Sequence, residues 1–265
     1  MNVPLFSPGD DPGPSFVRLL HRVGEFPDVP PGPLSDVPHG TTVVALRYGN
    51  GVLMAGDRRA TSGNLISHRD MEKVFPADSH SVVGIAGAAG PAVEMVRLFQ
   101  LQLEHYEKVE GSRLSIEGKA NQLGIMIRGN LPAAMQGLVV VPLFAGYDEK
   151  RATGRLFEYD VTGGRYEERD YAATGSGSLH GGTVIKLGFR DNLTRDESID
   201  LALKALFHAA DEDSATGGPD LMRGIFPVVA TVDRVGFQRV DDAELAQRTT
   251  ALLEQLRANR GGLPR

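Results

Sequence analysis

Two hydrophobic patterns alternate along most of this chain. Short runs in which nearly every residue is apolar or β-branched are followed by longer stretches in which apolar residues recur every three or four positions. Thr41 to Tyr48 is the first run. It ends at Gly49-Asn50-Gly51, residues that tolerate positive φ, and Val52 to Ala55 returns, which predicts a β-hairpin. Gly56-Asp57-Arg58-Arg59 then leaves the sheet. A second strand pair is expected around Lys73-Val74-Phe75 and Ser81 to Ala86, divided by Pro76-Ala77-Asp78. Gly87-Ala88-Ala89-Gly90-Pro91 connects to a helix with Val93, Val96, Phe99 and Leu103 on one face. A second helix follows over about Ser115 to Asn130.

Strands are next expected over Leu138 to Tyr147, Gly154 to Asp160 and Arg165 to Ala172, and Gly175-Ser176-Gly177-Ser178 opens another helical stretch. Thr194 and Glu197 form a capping box ahead of a helix that buries Ile199, Leu203, Leu206, Phe207 and Ala210. Phe226 to Val232 and Gly236 to Val240 make a closing hairpin, and a C-terminal amphipathic helix ends near Gly261-Gly262. Blocks of strands and blocks of helices, instead of strict alternation, argue for α+β and against a doubly wound parallel sheet. Two antiparallel sheets between two helix-pair layers fit that order best.

Residues 1–40 differ from the rest. They hold nine of the sixteen prolines and little periodic pattern. One short amphipathic segment, 15–23, places Phe16, Leu19, Leu20 and Val23 on one face, too short to be a stable helix alone. The body, 41–265, is long enough for one well-buried domain.

Composition narrows the function. The net charge of −6 is shared evenly by leader and body, with no basic patch of the kind nucleic-acid binding needs. The absence of cysteine excludes disulfides, thiolate metal sites and Cys nucleophiles, and fits a cytoplasmic protein. The seven histidines show no metal-binding spacing, so neither metal nor cofactor is expected. No apolar run approaches a membrane span, and the first residues lack the pattern of a secretory signal.

The junction Gly40-Thr41 carries the candidate chemistry. A bond cut there would make Thr41 a new N-terminus, with a hydroxyl nucleophile and an α-amine on one residue. The ordinary amine pKa is about 7.7–8.0, so the amine can take the hydroxyl proton near neutral pH. Read alone, however, a Thr after a Gly simply opens a strand. Asp57 after a Gly is by default a turn residue, Lys73 a solvated strand charge, and the Gly-Ser-Gly-Ser segment an anion-binding loop.

The ordered set of motifs decides between these readings. Thr41-Thr42-Val43-Val44-Ala45, Gly56-Asp57-Arg58-Arg59, Glu72-Lys73-Val74, Gly84-Ile85-Ala86-Gly87, Gly175-Ser176-Gly177 and Asp213-Ser214-Ala215-Thr216-Gly217-Gly218 resemble a proteasome β subunit. They are most similar to the single β type of actinobacterial 20S proteasomes, whose Pro-rich propeptide precedes a Gly-Thr junction. The resemblance covers essentially all of 41–265. It implies the four-layer αββα sandwich of N-terminal-nucleophile hydrolases, and a propeptide, 1–40, removed by cleavage between Gly40 and Thr41.

It also implies a threonine endopeptidase with Thr41 as nucleophile, Lys73 as catalytic lysine and Asp57 as the carboxylate that orients it. Gly87 would offer its N–H to the oxyanion, and Ser176, Asp213 and Thr216 would form a supporting polar group near the amine. Thr216 departs from the Ser that many members carry, yet keeps the hydroxyl. Arg59 matches a basic residue with a structural role. Ala60, Met71, Phe75, Ile85, Ala89 and Val93 would line an open, apolar S1 pocket. The implied partners are α subunits, other β subunits in stacked seven-membered rings, an ATPase cap or other activator, and unfolded protein substrates. Segment 15–23 would serve assembly. A noncatalytic ring subunit and a small-molecule amidohydrolase are the alternatives. The first typically lacks the Gly-Thr junction or the lysine, and the Gly-Ser-Gly and Asp-Ser-Ala-Thr-Gly-Gly motifs speak against the second.

Overall fold

The computed structural model describes residues 41–261, with side chains as far as residue 258. The leader, with its expected helix over 15–23, lies outside the described residues. Strands β1 (Thr42–Tyr48) and β2 (Gly51–Gly56) form the first hairpin, with Tyr48 opposite Gly51 across a tight turn at Gly49 and Asn50. A small hairpin of β3 (Ala60–Ser62) and β4 (Leu65–His68) follows, β4 exposed throughout, with no apolar pattern to announce it. Next come β5 (Val74–Asp78), β6 (Ser81–Gly84) and the helices α1 (Ala89–Glu110), α2 (Ile116–Gly129) and the one-turn α3 (Leu131–Ala134). Then follow β7 (Leu143–Asp148), β8 (Thr153–Tyr159), β9 (Arg165–Glu168), β10 (Tyr171–Gly175), α4 (Ser178–Gly188), α5 (Arg195–Glu212), β11 (Val228–Asp233), β12 (Gly236–Arg239) and α6 (Asp242–Gly261).

The strands form two five-stranded antiparallel sheets, ordered β10-β1-β2-β11-β12 and β5-β6-β7-β8-β9. Period-two alternation sorts their side chains into three apolar layers. Val43, Ala45, Val52 and Met54 of the first sheet meet Val82, Leu143, Ala145 and Leu156 of the second. On the first sheet's other face, Val44, Leu46, Leu53 and Ala55 pack with Ile185 of α4 and Ile199, Leu203 and Leu206 of α5. Behind the second sheet, Val83, Phe144 and Phe157 pack with Phe99 and Leu103 of α1 and Leu123 and Ile127 of α2. Phe99 meets Phe144 edge-on at 5.8 Å. This is the αββα sandwich. Its inner strands are buried on both faces, which is why they read as nearly continuous apolar runs.

Local differences from the expected elements have physical causes. Pro76 and Ala77 do not divide the second strand pair; they lie within β5, where the register shifts beside Pro76. Proline is tolerated there because β5 is an edge strand. Residues 138–142 pair only through the isolated bridge of Val140 with Gly87, so β7 starts at Leu143. The single strand expected over Arg165 to Ala172 is two strands in different sheets: β9 closes one and β10 opens the other. In α1, Val93 is half-buried and Ala92 and Met95 fill the core face. In α5, Phe207 and Ala210 are half-buried, while Ala202 and Ala205 pack with the sheet and Ala209 is buried. Alanines there let the helix sit close to β1 and β2. The capping box is formed: Thr194 Oγ1 accepts from Glu197 N–H, and the Glu197 carboxylate accepts from Thr194 N–H.

Candidate active site

In an antiparallel sheet the start of one strand lies beside the ends of its neighbours. Thr42 pairs with Gly175 at the end of β10, and Val43 with Gly56 at the end of β2. Thr41, Asp57 and Ser176, each one residue beyond these pairs or at their edge, are therefore delivered to one rim of the first sheet. Lys73 arrives from the second sheet, immediately before β5, with its carbonyl accepting from Ile85 N–H. Asp213 caps the C-terminus of α5, and Thr216 follows in the loop.

Asp57 is fully buried and accepts four hydrogen bonds. Oδ1 takes Thr42 N–H at 2.8 Å and Lys73 Nζ at 2.7 Å; Oδ2 takes the N–H groups of Arg59 at 2.9 Å and Gly217 at 2.8 Å. The Lys73 ammonium, 1% exposed, also donates to the Arg59 carbonyl at 2.5 Å. It is thus no solvated strand charge, and Asp57 is more than a turn residue. Burial pushes the Lys73 pKa below its ordinary value, although the Asp57 carboxylate pulls the other way. Arg59 has the structural place expected of it, its guanidinium donating to the Ser214 carbonyl at 2.9 Å.

A second polar group surrounds Thr41, which is buried. The Thr41 carbonyl accepts from Ser176 N–H at 2.8 Å, and Ser176 Oγ lies 3.3 Å from it. Asp213 Oδ2 accepts from Ser176 Oγ and Thr216 Oγ1, both at 2.5 Å, and Oδ1 from Ala215 N–H at 3.1 Å. Burial alone would raise the Asp213 pKa, but the donors from Ser176, Thr216 and Ala215 outweigh it and hold the carboxyl below its usual range.

Thr42 was not singled out from the sequence, yet it touches both groups. Its Oγ1 lies 2.6 Å from Thr216 Oγ1 and accepts from Gly177 N–H at 3.0 Å. The repeated Thr at the head of the first strand was the available signal. Two glycines make room. Gly175, at φ +98°, would drive a Cβ into the Thr41 carbonyl oxygen, and a Cβ on Gly177 would collide with Thr42 Oγ1.

Gly87 sits at φ +105°, where a Cβ would collide with the Val139 carbonyl. The bridge that flanks it uses Ala88 N–H and the Ala86 carbonyl, so the Gly87 N–H takes no part in that pairing. Of the expected pocket residues, Met71, Phe75 and Val93 are half-buried and pack with buried Ile85 in one apolar cluster. Ala60 is buried at the start of β3 and Ala89 half-buried at the start of α1, both outside that cluster. No group of three or more His, Asp or Glu side chains among the described residues is placed to hold a metal ion. None of the described helices is long and apolar enough to cross a membrane.

Known proteins resemble this chain over most of its length. Residues 37–221 match the family model described as "Proteasome subunit". The chain is 59% identical over 258 residues to a proteasome subunit beta of Acidimicrobium ferrooxidans, covering 96% of this chain and 94% of that one. It is 59% identical over 220 residues to the proteasome subunit beta of Streptomyces griseus, covering 83% and 78%, respectively. With the corresponding protein of Acidothermus cellulolyticus it shares 53% over 271 residues, 97% of this chain and 93% of the relative. The αββα sandwich, the buried Asp57–Lys73 pair at the head of β1 and these matches lead to one conclusion: the chain belongs to the proteasome subunit family, as a β-type threonine endopeptidase.

Proposed function

We propose that this chain is a catalytic subunit of a 20S proteasome core, with Thr41 as nucleophile after residues 1–40 are removed. One observation carries the reading: Asp57 Oδ1 accepts both from the amide that follows Thr41 and from the Lys73 ammonium. A buried cation is thereby anchored to the same oxygen that pins the first peptide unit of β1.

In this mechanism the Thr41 α-amine takes the proton from Oγ as Oγ attacks a peptide carbonyl. The nearby Lys73 charge favours the deprotonated hydroxyl, and Asp57 limits the cost of burying that charge. The Gly87 N–H donates to the oxyanion, an interaction typically worth ~10²–10³ in turnover. Collapse of the tetrahedral intermediate expels the amine half of the substrate, which receives the proton, and leaves an acyl ester on Thr41. Water activated by the same α-amine hydrolyses the ester. Ser176, Asp213 and Thr216 hold the polar surroundings of that amine.

The same hydroxyl first attacks the Gly40 carbonyl. Gly40 has no side chain of its own to crowd that carbonyl. The acyl group passes from nitrogen to oxygen as the Oγ proton moves to that nitrogen, which frees the α-amine, and water then cleaves the ester. The precursor has no such amine and is inactive.

The S1 pocket, lined by Ala60, Met71, Phe75, Ile85, Ala89 and Val93, carries no charge and selects large hydrophobic P1 residues over basic ones. The working particle is a cytoplasmic stack of seven-membered rings with α subunits outside the β rings. An ATPase cap or other activator feeds it unfolded chains, and neither nucleic acid nor membrane takes part.

The test is the intact mass of the chain co-expressed with its α partner, alongside peptidase assay. Loss of residues 1–40 in the wild type, with retention and inactivity in Thr41→Ala, is the expected result. A Thr41→Ala particle that hydrolyses peptides, or an uncut wild-type chain in an assembled particle, overturns the reading. The second outcome would favour a noncatalytic ring subunit.

A further inference from the structure

We propose that Thr42 is a positioning residue for the nucleophile, acting through a hydrogen-bond chain of fixed direction; this rests on the reading of Thr41 as nucleophile. The direction follows from counting protons. Asp213, held ionised at neutral pH, only accepts, so Thr216 Oγ1 gives its single proton to Asp213 Oδ2 at 2.5 Å. The 2.6 Å contact between Thr216 Oγ1 and Thr42 Oγ1 then has one donor left, the Thr42 hydroxyl. Thr42 Oγ1 in turn accepts from Gly177 N–H at 3.0 Å. The chain therefore runs from Gly177 N–H through Thr42 and Thr216 to Asp213, where Ser176 Oγ also terminates.

The peptide unit between Thr41 and Thr42 is clamped from both sides. Its carbonyl oxygen is held by Ser176 N–H, and its N–H by Asp57 Oδ1. Asp57 N–H also donates back to the Thr42 carbonyl at 3.1 Å. The Thr42 side chain is the third restraint, tying this unit to the Asp213 group while its backbone ties it to the Asp57–Lys73 pair. Thr42 is fully buried, so no water substitutes for a lost hydroxyl without rearrangement. Chains of this kind strengthen each member by polarisation, so the middle link matters beyond its own bond. What Thr42 governs is the angle at which Thr41 presents Oγ, and a misplacement of about 1 Å there can cost 10²-fold in rate.

The experiment compares Thr42→Val, Thr42→Ser and Thr41→Ala, each as the full chain co-expressed with its α partner. Subunit mass, kcat and KM are measured on the assembled particle. Thr42→Val keeps the shape but cannot donate to Thr216; kcat should fall about tenfold or more with KM within about twofold, while Thr42→Ser restores kcat to within about threefold. A Thr42→Val kcat within about twofold of wild type, or a Thr42→Ser variant as slow as Thr42→Val, overturns the proposal. If Thr42→Val does not assemble, Thr42→Ala is judged by the same criterion. An active Thr41→Ala control would instead sink the underlying reading of the nucleophile, so the two failures are distinguishable.

Discussion

Lys73 Nζ lies 2.7 Å from Asp57 Oδ1, and both side chains are sealed from water, at 1% and 0% exposure. An ion pair this deep contributes little net stability, because desolvating two charges offsets most of their attraction. Breaking it from one side is another matter. Asp57→Asn strands an ammonium, and Lys73→Met leaves a buried carboxylate with only backbone N–H donors. Each single change should cost about 3–5 kcal/mol, and the double variant clearly less than the sum. Denaturant unfolding of the three variants checks this; additive losses would show that the two charges do not compensate each other. All three should lack peptidase activity.

Gly175 bears on the same rim through shape alone. At φ +98° with the Thr41 carbonyl against it, it leaves no space for a methyl group. Gly175→Ala should displace the Thr41–Thr42 peptide unit and lower kcat by about 10²-fold or more. A steady-state assay showing kcat within tenfold of wild type would mean the rim tolerates movement.

Alkaline stability should depend on Tyr48. Burial first, then the Asp233 charge, pushes its pKa from 10.0 up to about 12. A raised pKa means that the unfolded chain loses this proton first. The Tyr48 contribution is complete below pH 10 and disappears as pH climbs towards 12, a loss of about 2–3 kcal/mol. Tyr48→Phe should therefore unfold at higher pH than wild type, followed by circular dichroism. An unchanged midpoint would remove Tyr48 from the alkaline transition.

Acid stability should depend on Asp78, whose Oδ2 meets Lys119 Nζ at 2.5 Å in a largely buried pair. Burial alone would raise the Asp78 pKa, but Lys119, with Ser81 and the His80 amide, holds it below the ordinary value. This contribution is present above the ordinary aspartate pKa and is lost as pH falls through the depressed one. Lys119→Met should lower stability at neutral pH and flatten its acid dependence, as read from denaturant midpoints across pH. Parallel curves for variant and wild type would contradict the linkage.

Specificity should follow the uncharged lining of the pocket. Leu- and Tyr-P1 fluorogenic peptides should be cut faster than Arg-P1 peptides, and Met71→Glu should move the ratio towards Arg by about tenfold or more. A wild-type preference for Arg, or no shift in Met71→Glu, would take Met71 out of the pocket.

The sandwich was legible because burial on two faces turns strands into apolar runs and one-sided burial gives helices their stripe. Both signals are local. The sequence also placed Thr41, Asp57, Lys73, Gly87, Ser176, Asp213 and Thr216 as candidates through an ordered set of short motifs. Alone it determined most of the element types and the exclusion of thiol chemistry, and it set the expectation of a leader ending at Gly40.

Other features needed the fold. Proline in β5 reads as a turn until the strand is known to lie at an edge. The run from Arg165 to Ala172 reads as one strand because apolarity does not record which sheet a residue joins. Lys73 between Glu72 and Val74 reads as a surface charge, and only the closure of one sheet on the other buries it against Asp57. Thr42 has no local signal beyond repeating its neighbour. Its importance comes from hydrogen bonds to residues 15, 135 and 174 positions away. Contacts across such separations arise from sheet register and helix docking, and tertiary structure alone decided them.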